Sequence, residues 1–389
     1  MNAEVGFVQI SDVCVAQRAN GQGASATWNA AERAPIRPTC KKIVNAATFL
    51  EDIDSQRCVD KRLRYITITG NTDGWSVEDS DLRVSGDAGI GRYSEVVPAL
   101  DQATSEIVAV KIIRRTGEDR VEKEHFDREV RILRELMRLP PSSIARFCQI
   151  KDHFSTQDYF FIVFEKYGNN LETVLLNPRL SPFPLYQCKE ISRQLVQATR
   201  LFVSNATTTQ QFYGLDNVFR NRTILKSTEI RIVDFGSVLE DTSRSTGMIG
   251  TAGYRAPEVL LNWPWDKSID QFALGCIIAE IITYNPLIQH NPLNAIEDIA
   301  IMDKVLGPFS SDMADRIRAE FPAALDYRTT STEISDVTSQ YLTTTKTILD
   351  RIEDKDAARL IKRLTELDSE HRGDLKTHEK CRFLTTYEM

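Results

Sequence analysis

Lys111 closes the run Val108-Ala109-Val110, an otherwise apolar stretch. An ammonium on such a strand cannot stay unpaired in a lobe interior, because burying a lone charge is prohibitive. Glu129 stands 18 residues further on, among the apolar positions of a helix-like segment, and is the carboxylate that would serve. A solvated surface lysine and glutamate is the bland alternative. Upstream, Gly86-Asp-Ala-Gly-Ile-Gly91 lies between two strand-like stretches. Glycines there let the backbone bend over an anion and present N–H groups to it, although a flexible hairpin explains the run equally well. Ile232-Val-Asp-Phe-Gly236 sets Asp234 at the end of an apolar strand, where a carboxylate would meet Mg²⁺ bound to phosphates. Tyr254-Arg-Ala-Pro-Glu258 and Asp368-Ser-Glu-His-Arg372 follow. The five histidines have no spacing suited to a metal, and no nucleophile–base pair stands out.

The elements that must position these groups fall into two regimes. Leu63–Thr69, Leu82–Val84, Tyr93–Val97 and Glu106–Ile113 read as strands rich in β-branched residues. In Glu122–Met137 the period changes: Phe126, Val130, Leu133 and Met137 recur as on one face of a helix, which Pro140-Pro141 ends. Phe147–Ile150 and Tyr159–Phe164 read as two more strands around a polar turn, giving a first lobe of about five strands and one helix. Beyond Tyr167-Gly168 the chain is mostly helical: Pro184–Val203, Ile269–Ile282, Ala295–Leu306, Asp312–Phe321 and Ala357–Leu367, with a strand pair over Asn217–Asp234. Thr329–Thr347, dense in Ser and Thr, reads as a surface insertion. The predicted architecture is α+β: a β-rich small lobe (61–167), a mainly helical large lobe (168–389) and a cleft between them, preceded by an irregular or partly disordered extension over 1–60.

Composition narrows the class further. The chain has 389 residues, 42% hydrophobic and 26% charged, with 48 basic against 55 acidic side chains and a net charge of −7. That balance gives no electrostatic reason to expect nucleic acid or an anionic membrane. No apolar run approaches the roughly 18–20 residues of a membrane span. The amino terminus lacks a basic region followed by an apolar one, so no secretory signal is expected. Seven scattered cysteines without a CxxC point to reduced thiols in an intracellular setting.

The order of the motifs identifies a resemblance. Glycine loop, Val-Ala-Val-Lys111, helix Glu129, Asp234-Phe-Gly and Ala-Pro-Glu258 occur in the sequence and at the separations of a eukaryotic protein kinase domain. Phe164-Glu165, Asp234-Phe-Gly-Ser237, Tyr254-Arg-Ala-Pro-Glu-Val-Leu and Asp270-Gln-Phe-Ala-Leu-Gly-Cys276 resemble the LAMMER (Cdc-like, dual-specificity) kinases. So does Glu297-Asp-Ile-Ala-Ile-Met-Asp-Lys-Val-Leu-Gly307, a blurred form of the string that names them. The resemblance spans roughly residues 62–385, without the Arg/Ser-rich region of many members. It implies ATP and Mg²⁺ as cofactors and a bilobed kinase fold. Gly86, Ala88 (where the family has glycine) and Gly91 would cover the phosphates. Lys111, paired with Glu129, would hold the α- and β-phosphates, and Asp234 would bind Mg²⁺. Phe164 would limit the back of the adenine pocket, and Glu165 to Tyr167 would offer it backbone hydrogen bonds. Glu258 would pair with Arg372, and Asp270 would brace the catalytic loop.

That loop departs from the family. Where LAMMER kinases carry an aspartate base, a lysine and a metal asparagine, this chain reads Asn205-Ala-Thr-Thr-Thr-Gln-Gln-Phe-Tyr-Gly-Leu-Asp-Asn-Val-Phe219. A register with one inserted residue sets Asn217 in the metal position, Phe212 in place of the aspartate and Gly214 in place of the lysine. A rival register uses Asp216 as base and Asn221 for the metal, five residues apart, but needs about five extra residues and puts Val218 where the lysine belongs. Both lose that lysine. The preferred reading is an ATP-binding kinase-fold protein with weak or lost transfer to protein Ser/Thr or Tyr (pseudokinase-like). The alternatives are an active Ser/Thr or dual-specificity kinase using Asp216, and a scaffold that binds no nucleotide. Arg/Ser-rich protein partners and a nuclear or cytoplasmic location are implied by the resemblance alone.

Overall fold

The computed structural model describes residues 13–15 and, from 66 to 386, all but 72–73, 80–93, 102–105, 116–118, 157–158, 169, 178–179, 181, 204–224, 226, 237, 239–245, 289–294, 322–323 and 326–333. Gly86, Ala88, Gly91, Phe212, Gly214, Asp216, Asn217 and Asn221 therefore lie outside the described residues, as do the strand expected at Leu82–Val84 and all of the 1–60 extension except β1, Val13–Val15. The chain divides into two compact units, residues 17–168 and residues 169–389 together with 1–16.

The first unit holds the hairpin β2 (Ile66–Asn71) and β3 (Gly74–Asp79) and a four-stranded antiparallel sheet. The sheet contains β4 (Ser94–Asp101), β5 (Glu106–Arg114), β6 (Ile150–Ser155) and β7 (Tyr159–Glu165) in the order β4-β5-β7-β6. Strand alternation puts Val108, Val110 and Ile112 on one face, where they bury with Ala99, Phe161 and Val163. Helix α1 (Asp119–Leu136) buries Phe126, Val130 and Leu133, and Pro141 opens the single-turn α2 (Pro141–Ile144) at the position where its missing N–H costs nothing. The strand expected at Phe147–Ile150 instead begins at Ile150. Phe147, an isolated bridge residue, and Cys148 are buried just before its start.

The second unit contains β8 (Ile230–Ile232) and helices α3 (Leu171–Leu175), α4 (Leu185–Val203), α5 (Pro257–Leu260), α6 (Ser268–Thr283), α7 (Ala295–Leu306) and α8 (Ser311–Glu320). Beyond them lie α9 (Asp336–Thr344), α10 (Ile348–Arg351), α11 (Lys355–Leu364), α12 (Leu375–His378) and α13 (Arg382–Thr385). Helix α6 is buried on nearly every side and sits at the centre of this unit, packed on α4 and α11. Gly275 makes the α6–α11 approach feasible: a Cβ there would meet Thr365 Cγ2 at 2.5 Å and Leu364 Cβ at 2.9 Å.

One expectation needs correction and another is tested only in part. The described partner of β8 is β1, antiparallel with Val13 opposite Ile232, while the first strand of the pair expected over Asn217–Asp234 lies outside the described residues. The Ser/Thr-dense stretch expected as a surface insertion contains α9. Ser335 caps this helix, and its Thr338 and Leu342 are buried. Glu297, itself 2% exposed, holds α9 in place by accepting the Ser335 N–H at 2.6 Å and the Thr338 hydroxyl at 2.7 Å.

Candidate functional site

In the unit of residues 17–168, Lys111 lies on the face of β5 opposite Val108, Val110 and Ile112, while Glu129 shares the buried stripe of α1 with Phe126, Val130 and Leu133. The structure brings the two together: Lys111 Nζ donates to both Glu129 carboxylate oxygens, at 2.8 and 2.9 Å. Lys111 is 6% and Glu129 2% exposed, so each cancels a charge the interior would not otherwise tolerate. The ammonium is thereby fixed to a strand with neighbours on both sides and to a helix of five turns.

At the end of β7, Phe164 is buried, and the Glu165 N–H donates to the Gln149 carbonyl at 3.2 Å. The Tyr167 hydroxyl accepts the Gln149 N–H at 3.0 Å and donates to Glu165 Oε2 at 3.2 Å. The 165–167 segment is thus pinned to the sheet. Since the Glu165 N–H is spent, any hydrogen bond to adenine has to come from the segment's other backbone groups.

In the other unit, Asp234 follows β8 with φ 61°, a left-handed conformation that aspartate tolerates better than most residues. Its Oδ1 accepts the Gly236 N–H at 3.4 Å. The turn sends Phe235 inward, where it is buried, and leaves Asp234 exposed. Two glutamines of α4 hold the strand that delivers it. Gln187 donates to the Leu225 carbonyl at 2.9 Å and accepts the Leu225 N–H at 3.4 Å. Gln194 donates to the Thr228 carbonyl at 2.9 Å and accepts the Ile230 N–H at 3.2 Å. These side-chain amides do the work of a neighbouring strand along 225–230. The sequence reading missed both. The available signal was a pair of glutamines two turns apart on a helix face shared with Cys188, Ile191 and Leu195, positions where a polar group needs a partner.

Glu258 and Arg372 form a bidentate pair at 2.5 and 2.7 Å, and Arg372 also donates to the Glu366 carbonyl at 2.7 Å. Asp270 is fully buried in the first turn of α6. The segment before Glu258 is anchored through its carbonyls: Arg255 Nε donates to Gly250 at 2.8 Å and Trp265 Nε1 to Gly247 at 2.9 Å. The Tyr254 hydroxyl donates to Glu280 of α6 at 2.5 Å. Burial, then the Glu280 charge, push the Tyr254 phenol well above its usual range, and burial raises the Glu280 carboxyl. In the same segment Thr246 is exposed and Thr251 half-buried.

Taken unit by unit, the groups present are of the kinds that ATP and Mg²⁺ require. Lys111 is a cation fixed by its partner, suited to phosphate oxygens, and Asp234 is an exposed hard-oxygen ligand. Among the described residues no group of three His, Cys, Asp or Glu side chains is placed to hold a metal.

Residues 82–383 match the family described as "Protein kinase domain". Among curated relatives, the dual specificity protein kinase lkh1 of Schizosaccharomyces pombe is 29% identical over 247 residues, 59% of this chain and 34% of that protein. The serine/threonine-protein kinase AFC2 of Arabidopsis thaliana is 30% identical over 249 residues, 59% of this chain and 57% of that one. The human dual specificity protein kinase CLK4 is 27% identical over 245 residues, 59% of this chain and 50% of its own length. The match thus spans between about a third and somewhat over half of these relatives. A crystal structure of a kinase domain superposes with a TM-score of 0.63 at 19% identity, covering 76% of this chain and 93% of that one.

Proposed function

The chain belongs to the protein kinase domain family and resembles LAMMER-type dual-specificity kinases, and from that premise we propose that it binds ATP with Mg²⁺ while transferring phosphate weakly or not at all. The observation that carries this reading is the buried, doubly hydrogen-bonded Lys111–Glu129 pair, kept in a chain whose loop reads Phe212 and Gly214 where the family has a base and a lysine. ATP·Mg supplies an activated phosphoryl group. Lys111 would hold phosphate oxygens, Asp234 and Asn217 would hold the cation, and the backbone of Gly86 to Gly91 and of 165–167 would position the remainder. Acid–base groups contribute roughly 10²–10⁴-fold, and most phosphoryl-transfer catalysis is positioning and charge stabilisation. Losing the base and the lysine together therefore lowers transfer far more than it lowers binding. The biological output is then conformational or through a bound protein, Arg/Ser-rich by family likeness, in the nucleus or cytoplasm.

A second reading, an active kinase, is favoured by the five-residue separation of Asp216 and Asn221 and by Asn221 lying 13 residues before Asp234. Thermal unfolding with ATP and Mg²⁺, followed by transfer to an Arg/Ser-rich peptide, separates the readings. Stabilisation by nucleotide, reduced in Asp234→Asn, with residual transfer indifferent to Asp216→Asn, supports the proposal. Robust transfer abolished by Asp216→Asn establishes the second reading. No stabilisation at millimolar nucleotide leaves a scaffold.

A further inference from the structure

The outer side of α1 carries a feature the nucleotide reading does not use. Arg131, Arg134 and Arg138 recur at helical spacing along the end of α1 and the turn after it, and all are exposed. With Asp127, Glu135 and His153 of β6 they line a groove of about 330 Å³. His153 is seated by an edge-on contact with Phe126, ring centroids 5.9 Å apart, so the groove has a fixed wall. Arg131 lies one turn from both Asp127 and Glu135, the spacing at which opposite charges on a helix support each other. Arg134 and Arg138 are one turn from each other, a like-charge spacing that weakens a helix, and neither has an ion-pair partner among the described residues. No structural bond repays that arrangement. Two guanidinium forks one turn apart match a single dianionic group with three acceptor oxygens better than a carboxylate, which offers one charge and two oxygens. The concave shape, with Val130 among the lining residues, suits an extended chain rather than a flat bilayer.

We propose that this groove between α1 and β6 binds a phosphoserine- or phosphothreonine-containing segment of a partner protein, the phosphate taken by Arg134 and Arg138. The helix that presents them carries Glu129 on its buried side, so the bound segment would sit on the element that orients Lys111. The proposal does not depend on nucleotide being bound.

The test is fluorescence anisotropy of the full chain with a labelled degenerate peptide library bearing one fixed central phosphoserine. The same library with serine, and cosedimentation with phosphatidylserine-containing vesicles, run in parallel. Mg·ATP is present in one arm and absent in another. Expected are phosphate-dependent binding in both arms and a loss of roughly tenfold or more in Arg134→Gln/Arg138→Gln. A charge-matched Arg318→Gln/Arg359→Gln control should bind as the unmodified protein does. If the first double variant unfolds, Arg134→Lys/Arg138→Lys keeps the charge and removes the fork, and a clear loss there supports the assignment. Equal binding of the serine library, equal loss in the control, no loss in a folded Arg134/Arg138 variant, or capture by vesicles instead of peptide overturns it.

Discussion

Replacing Lys111 with methionine tests the buried pair as an energetic unit. The substitution leaves the Glu129 carboxylate 2% exposed, without either of the hydrogen bonds it now accepts at 2.8 and 2.9 Å. Removing one partner of a buried pair costs about 3–5 kcal/mol, because the other charge stays desolvated. In a unit of about 150 residues that corresponds to a fall of roughly 6–20 °C in Tm. Glu129→Leu strands the ammonium and costs a similar amount. The double variant Lys111→Met/Glu129→Leu replaces both charges with apolar volume and should return to within about 1–2 kcal/mol of the unmodified protein. The coupling energy of the cycle, the sum of the two single costs less that of the double variant, is then roughly 4–9 kcal/mol. Urea denaturation followed by circular dichroism, with calorimetry as a second probe, measures it. Single variants that each cost less than about 1 kcal/mol, or a double variant equal to their sum, would refute the argument by showing that solvent screens the pair.

Three further outcomes follow from the helical unit. Gln194→Leu leaves the buried Ile230 N–H and the Thr228 carbonyl without their partner, so stability should fall by about 2–3 kcal/mol and Mg·ATP affinity with it, read by calorimetric titration. Gly275→Ala forces a Cβ to within 2.9 Å of Leu364 Cβ and should cost about 1–3 kcal/mol in urea denaturation without changing the oligomeric state seen in gel filtration. His378 donates Nε2–H to the Arg372 carbonyl at 2.6 Å, and burial, only partly opposed by that bond, lowers its pKa. The unfolded chain therefore takes up the proton first as pH falls. Stability is constant above the unfolded value of 6.5 and declines below it toward the folded pKa, a slope that His378→Gln should flatten in a pH series of Tm.

The parts of the fold legible in the sequence were those governed by short-range periodicity. The alternation through Val108-Ala-Val-Lys-Ile and the spacing of Phe126, Val130 and Leu133 encode which faces are buried, and a charged residue on each buried face has to find the other. Helix α6 was legible because its middle, Phe272 to Ala279, is apolar without a break. What escaped is non-local. Val13–Val15 is too short to stand out beside the small and polar residues that follow, and its partner β8 lies more than 200 residues away, where only backbone pairing selects it. The segment around α9 has the composition of a loop. The buried Glu297 carboxylate, which overrides that composition, lies 38 residues upstream of Ser335 in a stretch that reads as a family string rather than as a cap. The glutamines of α4 were visible as polar intrusions, but their targets at 225–230 gave no matching signal.

The central claim is that this kinase domain grips metal-bound nucleotide yet scarcely uses it. Incubating the full chain with γ-labelled ATP, Mg²⁺ and an Arg/Ser-rich peptide, and counting retained and transferred label together, tests it most directly. The account predicts saturable, Mg²⁺-dependent retention that Lys111→Met abolishes, with transfer at least about 10²-fold below the roughly 1–100 s⁻¹ of ordinary kinases. No retained label at millimolar nucleotide, or transfer within that ordinary range, would contradict it.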